Sequence, residues 1–208
     1  MIRSIDYSGS QQYLKMEKQI KSDISKLKVR SRDRSITTEI MAILQQVTIN
    51  GIVQSREQFR VLDIFNIGTI NPGQKINQNF ITFSNATLTD LSIKTVLEKP
   101  HLFVAKKNIM FAVETAGINQ NNKQEKQKEK IHLFRDKKPS NVVVALPGFI
   151  LEGVLYTEVN QPITMMLEQE DAFFPMTGVI IKSSSLTSLN SATFAAINKN
   201  HILYLAEL

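Results

Sequence analysis

The chain has 208 residues, a net charge of +6 and no cysteine, which excludes disulfide bonds, thiolate metal sites and a cysteine nucleophile. No apolar run approaches the roughly 20 residues that a membrane-spanning helix needs, and the first seven residues lack the apolar core of a signal peptide. Together with a charged fraction of 21%, these features predict a globular protein of the cytoplasm.

Residues 1–34 are predicted to form a basic amphipathic helix. Apolar residues fall at spacings of three and four from Tyr13 to Leu27, and they make one narrow stripe. The segment has a net charge of +5. Because so narrow a stripe must dock on another surface to stabilise the helix, its basic side chains are candidate partner contacts. They are Lys15, Lys18, Lys21, Lys26, Lys28, Arg30, Arg32 and Arg34.

Residues 35–114 are predicted to form a first β-rich domain. The stretch 36–53 is rich in Ile, Val, Thr and Leu and predicts one long strand or two strands joined by a tight bend. The spacing of Val61 and Phe65 predicts one helical turn. Residues 69–79 are rich in turn formers and predict a loop, and further strands are expected at 80–88, 101–105 and 108–114.

A polar, charged linker is predicted at residues 115–138, where apolar side chains are almost absent. A second β-rich domain follows at residues 139–208 and carries a net charge of −4. The basic residues of the chain therefore concentrate outside the second domain, so the two ends of the chain are able to attract each other.

The two β-rich domains are predicted to be copies of one another. A shift of 102 residues places Ile49–Val53 on Leu151–Leu155, with Gly51 on Gly153. A shift of 93 places Phe80 on Phe173, and it places the segment 106–114 on the segment 199–207. The loop at 69–79 accounts for the nine extra residues. Gly51 and Gly153 each interrupt a strand pattern, which indicates a bulge, a bend or a close backbone approach.

The predicted fold class is therefore mainly β. Small barrels need glycine corners to close, and a helical turn at 60–66 or 162–168 suits the end of a barrel. We expect two tandem small domains, each like a β-barrel or a β-sandwich, preceded by the amphipathic helix.

The order of these features resembles an uncharacterised family of small bacterial β-rich domains with the pattern G…RxxDxLN…F…VNKxxI. The first copy carries Arg60, Asp63 and Asn66 of this pattern, and the second copy keeps Asn198-Lys199 and Ile202. The likeness covers about 150 of the 208 residues, and it implies no known activity.

A broader pattern is similar to Sm-like and SH3-like small barrels, and the Sm-like resemblance implies RNA binding. This sequence departs from the Sm-like motifs at the RNA-contacting positions. Asp63 lies too far beyond Gly51, and the segments 105–108 and 198–200 lack the Arg-Gly pair.

Two polar groups are candidate partner contacts. Arg60, Asp63 and Asn66 lie at spacings that share one helical face, where they either bind a partner or serve local capping; we favour the local interpretation. The acidic residues of the second copy are able to bind a cation or act as acid and base, but a solvated turn is the commoner arrangement. A further use is electrostatic, in which they receive the basic helix of another chain. They are Glu168, Glu170 and Asp171.

Catalytic and cofactor motifs are absent from the sequence. His101, His132 and His201 do not have metal-ligand spacing, the serines at 183–185 read as a hairpin loop without a base, and no phosphate-binding glycine motif occurs. We therefore expect no enzyme activity, no cofactor, no metal and no small-molecule ligand.

The sequence favours a structural or adaptor protein that mediates protein–protein assembly, with itself or with another protein, through tandem β domains and the basic helix. Two alternatives stay open. One is electrostatic binding of RNA or another nucleic acid by the clustered Lys and Arg residues. The other is attachment to a membrane surface through the basic helix.

Overall fold

A computed structural model describes residues 35–56, 60–68, 79–115, 137–186 and 189–208. These residues form ten β-strands, all paired antiparallel with their neighbours, and two short α-helices. The strands are β1 Ser35–Ile43, β2 Val47–Arg56, β3 Phe80–Asp90, β4 Val96–Ala105, β5 Phe111–Glu114, β6 Lys137–Leu146, β7 Phe149–Glu158, β8 Phe173–Lys182, β9 Ser191–Asn198 and β10 Tyr204–Glu207. The helices are α1 Val61–Ile67 and α2 Ile163–Leu167, and single 3₁₀ turns occupy Lys106–Asn108 and Lys199–His201.

All ten strands belong to one sheet, in the order β10-β6-β7-β8-β9-β5-β1-β2-β3-β4. The prediction of a mainly β fold is confirmed. The sheet is open, so the described residues do not show two closed barrels. The predicted helix at 1–34 and most of the predicted linker and of the loop at 69–79 lie outside the described residues.

The two halves of the sheet have the same topology. The first half (β1–β5) has the order β5-β1-β2-β3-β4, and the second half (β6–β10) has the order β10-β6-β7-β8-β9. The registers repeat as well: Ile40 pairs with Gly51 in the first half, and Val142 pairs with Gly153 in the second. The shift of 102 residues that the sequence predicts is therefore present in the strand pairing.

The second predicted shift, of 93 residues, is present in the backbone hydrogen bonds. The amide of Met110 donates to the carbonyl of Ile43 over 2.9 Å, and the amide of Leu203 donates to that of Ala145 over the same distance. Residue 110 corresponds to 203 by the shift of 93, and residue 43 corresponds to 145 by the shift of 102. The change of shift falls between α1 and β3, the part of the sequence where the loop at 69–79 is predicted.

Gly51 and Gly153 lie at matching irregularities of the sheet. The register of β2 on β3 shifts between Asn50 and Ile52, and that of β7 on β8 shifts between Glu152 and Val154. A Cβ at Gly153 would lie 2.8 Å from the carbonyl oxygen of Thr177. The bulge and the close backbone approach that the sequence predicts are both confirmed at these glycines.

Each half has its own hydrophobic core, and the two cores meet at β5. Phe111 and Val113 of β5 pack into the core of the second half, whereas Ala112 packs into the core of the first half. All three side chains are fully buried. Because successive side chains of a strand point to opposite faces, a strand with a core on each face is apolar at every position. The described residues between Ser35 and Leu208 accordingly form one compact unit.

Candidate functional site

A cleft of about 660 Å³ opens where the two halves meet. The first half contributes the end of α1 and the turn between β4 and β5. The second half contributes the segment before β8 and the turn between β9 and β10. The described lining combines polar and charged residues with a few apolar ones, and it includes an aromatic pair, Phe65 and Phe173, whose ring centroids lie 5.1 Å apart.

Asn66 connects the two halves across this cleft. Its side-chain amide donates to the carbonyl of Phe173, and its side-chain oxygen accepts from the amide of Phe173, both over 2.9 Å. The asparagine side chain thus pairs with the first residue of β8 as a neighbouring strand would. Since the two residues are 107 positions apart in the chain, this contact fixes α1 of the first half on the sheet of the second half.

Asn198 makes a second connection, at the end of β9. Its side-chain amide donates to the carbonyl of Ile109 over 2.8 Å, and its backbone amide donates to the carbonyl of Met110 over 2.9 Å. Its side-chain oxygen accepts from the amide of Asn200 over 3.1 Å. The residue is almost fully buried, so it satisfies backbone groups that the two turns would otherwise bury without partners.

Lys106 and Lys199 occupy corresponding positions in the two halves. The ammonium group of Lys106 lies 3.4 Å from the carbonyl oxygen of Asn66, and that of Lys199 donates to the carbonyl of Gln169 over 2.9 Å. Burial lowers the pKa of both lysines, and the nearby carboxylate of Asp171 opposes this effect at Lys199. Each side chain therefore contacts a backbone carbonyl of its own half, and Lys106 does so at the cleft.

The structure separates the three polar residues predicted on the first helical turn. Asp63 accepts from the backbone amide of Arg60 over 2.9 Å and lies 3.2 Å from its guanidinium. This is the local capping arrangement that we favoured from the sequence. Asn66 lies instead in the cleft, so its long-range role was missed, because a spacing of three along a helix carries no information about distant strands.

The acidic residues predicted as partner contacts lie beside this cleft. Glu170 and Asp171 line it, and all three acidic residues are exposed. The backbone amide of Glu168 ends α2 by donating to the carbonyl of Thr164. The structure thus brings Glu170 and Asp171 together with Asn66. The basic residues from Lys15 to Arg34 lie outside the described residues, and their contacts stay a prediction.

The two edges of the sheet are a further candidate site, which sequence patterns did not single out. Strands β4 and β10 each pair on one side only among the described strands. Large apolar side chains are exposed at these edges: Phe103 of β4 is 64% exposed, Tyr204 of β10 54% and Leu203, directly before β10, 66%. Alternation of apolar residues in the sequence predicts where strands lie, but it does not predict which strands lie at the edges, because that depends on the order of the strands in the sheet.

Comparison with protein-family models, with curated proteins and with solved structures found no match to this chain. Within the described ranges, no group of three or more His, Asp or Glu residues is placed to hold a metal ion. No helix in the part of the chain that the structure describes is long and apolar enough to span a membrane.

Proposed function

We propose that this protein is a non-enzymatic structural or adaptor protein that binds protein partners through the two edges of its sheet. The observation that carries this proposal is the exposure of Phe103 on β4, of Tyr204 on β10 and of Leu203, which directly precedes β10. In this proposal each half acts as a small barrel-like unit around its own core, and the predicted basic helix adds an electrostatic contact.

Edge strands favour association because their outward backbone amides and carbonyls are available to another strand. Proteins that remain monomeric protect such edges with proline and charged residues. Strand β4 has this protection in its first part, where Glu98, Lys99 and Pro100 lie together. The stretch Leu102–Ala105 has neither charge nor proline, so it is the part of β4 that accepts a partner strand.

The experiment is to measure the native mass of the protein in extracts of cells that express it at its natural level. Wild-type protein is expected well above the monomer mass. The double variant Phe103→Glu with Tyr204→Glu places a charge on both edges and is expected at the monomer mass. A wild-type protein that is monomeric in the extract would overturn the proposal.

Binding of nucleic acid is the second candidate function, because Lys106 and Lys107 lie on the cleft. Glu170 and Asp171 line the same cleft and repel phosphate groups, which favours the first proposal. A titration of fluorescent single-stranded RNA at low salt tests this alternative. Binding that Lys107→Ala weakens would support it, and the absence of binding would remove it.

A further inference from the structure

We propose that the partner of each sheet edge is a second copy of this chain, with β10 of one chain pairing antiparallel with β4 of the next. This inference rests on the proposed function and names its partner. A contact of the same kind is already present inside the chain, where β5 of the first half pairs antiparallel with β9 of the second half.

The internal junction and the free edges consist of corresponding strands. The shift of 93 residues relates β5 to β10, and it relates β4 to β9. The internal junction therefore joins a strand of the β5 type to a strand of the β9 type. In the sheet order of one chain, the two edge strands are β10, which is of the β5 type, and β4, which is of the β9 type. Because the two edges are different and complementary, one chain can continue the sheet of another.

The internal register predicts the register between chains. Phe111 pairs with Ile197, Ala112 with Ala196 and Val113 with Ala195 at the internal junction. Subtracting or adding the shift of 93 gives the expected pairs between two chains. They are Tyr204 with Val104, Leu205 with Phe103, and Ala206 with Leu102. The β4 residues of this register all lie beyond Pro100, in the unprotected stretch of the strand.

Burial differs between the corresponding positions as this pairing requires. Met110 is 1% exposed at the internal junction, whereas its counterpart Leu203 is 66% exposed. Phe111 is fully buried by the core of the second half, whereas Tyr204 is 54% exposed. Leu203 and Tyr204 thus have the apolar character of their buried counterparts but remain exposed, and in this inference a neighbouring chain covers them.

Two polar contacts of the internal junction have no counterpart at the edges. The position of Asn66 corresponds to Glu168, whose carboxylate cannot donate as the amide does, and the position of Asn198 corresponds to Ala105. The junction between chains therefore lacks the side-chain hydrogen bonds that Asn66 and Asn198 make between the two halves. We expect an association that is reversible and dependent on protein concentration, while the internal junction stays closed.

The predicted contact is heterologous, because each chain offers a different strand to each neighbour. Such contacts give closed rings where the rotation closes and filaments where it does not. They also have a property that a two-fold symmetric contact lacks. Two chains, each blocked at a different edge, still have one intact edge each and can form a pair that stops at two.

The experiment is sedimentation velocity on the purified full-length chain over a range of concentrations, with one variant for each edge. Tyr204→Glu blocks β10, and Phe103→Glu blocks β4. Each variant alone is expected to associate at least about tenfold more weakly than wild type, because a carboxylate on a buried junction strand lacks a partner. An equal mixture of the two is expected to form a species of twice the monomer mass.

Matched controls come from exposed apolar residues outside the predicted register. Leu97→Glu changes β4 before Pro100, and Tyr156→Glu changes the exposed face of β7; both residues are 49% exposed. These variants are expected to assemble as wild type does. Circular dichroism of all four variants verifies that each is folded before its mass is interpreted.

Three outcomes would overturn the inference: a monomeric wild-type protein at every concentration, edge variants that assemble as wild type does, or a mixture of variants that remains monomeric. The proposed function is judged separately by the mass in cell extracts. A large complex in extracts together with a monomeric purified protein would refute self-pairing and leave a different protein as the partner.

Discussion

Replacement of Asn66 by alanine tests the connection between the two halves most directly. The variant loses two hydrogen bonds of 2.9 Å to the backbone of Phe173, which is itself 1% exposed. The peptide amide and carbonyl of Phe173 are then left without their partner. A buried polar group that loses its hydrogen bond costs about 1 to 3 kcal/mol. Because Asn66 is only partly buried, water replaces some of the loss, and we expect the variant to lower the free energy of unfolding by about 2 to 4 kcal/mol.

Two further variants separate the hydrogen bonds from a general effect of substitution. Asn66→Asp keeps the oxygen that accepts from the Phe173 amide but replaces the donor with an oxygen that faces the Phe173 carbonyl. It is expected to be at least as destabilising as Asn66→Ala. Glu168 occupies the corresponding position of the second half and is exposed, so Glu168→Ala is expected to change the free energy of unfolding by no more than about 0.5 kcal/mol.

The measurement is urea unfolding followed by circular dichroism, with the free energy taken from linear extrapolation. Protein concentration is held constant and low, since association adds apparent stability. Equal stability of Asn66→Ala and wild type, within about 0.5 kcal/mol, would refute the view that this asparagine joins the halves.

Three other predictions use the same unfolding measurement. Gly153→Ala places a Cβ 2.8 Å from a backbone oxygen, whereas the Cβ of Gly51→Ala lies 3.2 Å from the nearest backbone oxygen. We therefore expect the free energy of unfolding to fall by about 1 to 3 kcal/mol for Gly153→Ala and by less for Gly51→Ala. Equal losses of stability would contradict this. Phe111→Ala removes a fully buried ring that contacts Phe149, and it should lower the free energy of unfolding by about 3 to 5 kcal/mol. Tyr204→Ala should lower it by less than about 1 kcal/mol. A larger effect at Tyr204 than at Phe111 would be inconsistent with β5 in the centre of the sheet and β10 at its edge. Hydrogen bonds from the Ser92 hydroxyl and then from the amides of Ile93 and Ser92 lower the pKa of Asp90 from its ordinary value of 3.8. Asp90 therefore stabilises the fold above that pH, and this stabilisation is lost as the pH falls through the lowered pKa. The difference in stability between wild type and Asp90→Ala should shrink on acidification, and a constant difference would count against this reasoning.

Much of the secondary structure follows from local patterns in the sequence. The strands near 80–88 and 108–114 and the helical turn at Val61 were predicted, because alternation and spacing report which side chains share a face. The repeat was also predicted with both of its shifts, because Gly51 and Gly153 interrupt their strands at the same place and Phe80 and Phe173 each begin a later strand. Such features depend on neighbours within one strand or one turn, and those neighbours are printed in the sequence.

The candidate sites could be predicted only in part. Local capping of Arg60 by Asp63 was expected, since the two residues are three positions apart. The pairing of Asn66 with Phe173 was not, because its partner is 107 positions away and a single asparagine gives no signal of distance. Asn198 was noticed only as part of a motif, and its role in closing the junction depends on the turn that follows β4.

The sequence alone determined that this protein is mainly β and that it carries one strand pattern twice. It did not determine whether the copies stand apart or share a sheet. Tertiary structure decided that the two copies share a sheet. Ala112 of β5 pairs with Ala196 of β9, and the two cores lie on opposite faces of β5. The physical reason is that sharing one sheet buries the apolar side chains of β5 in both cores, where they are removed from water. The same reason applies to Tyr204 and Phe103, which remain exposed at the two ends of the sheet.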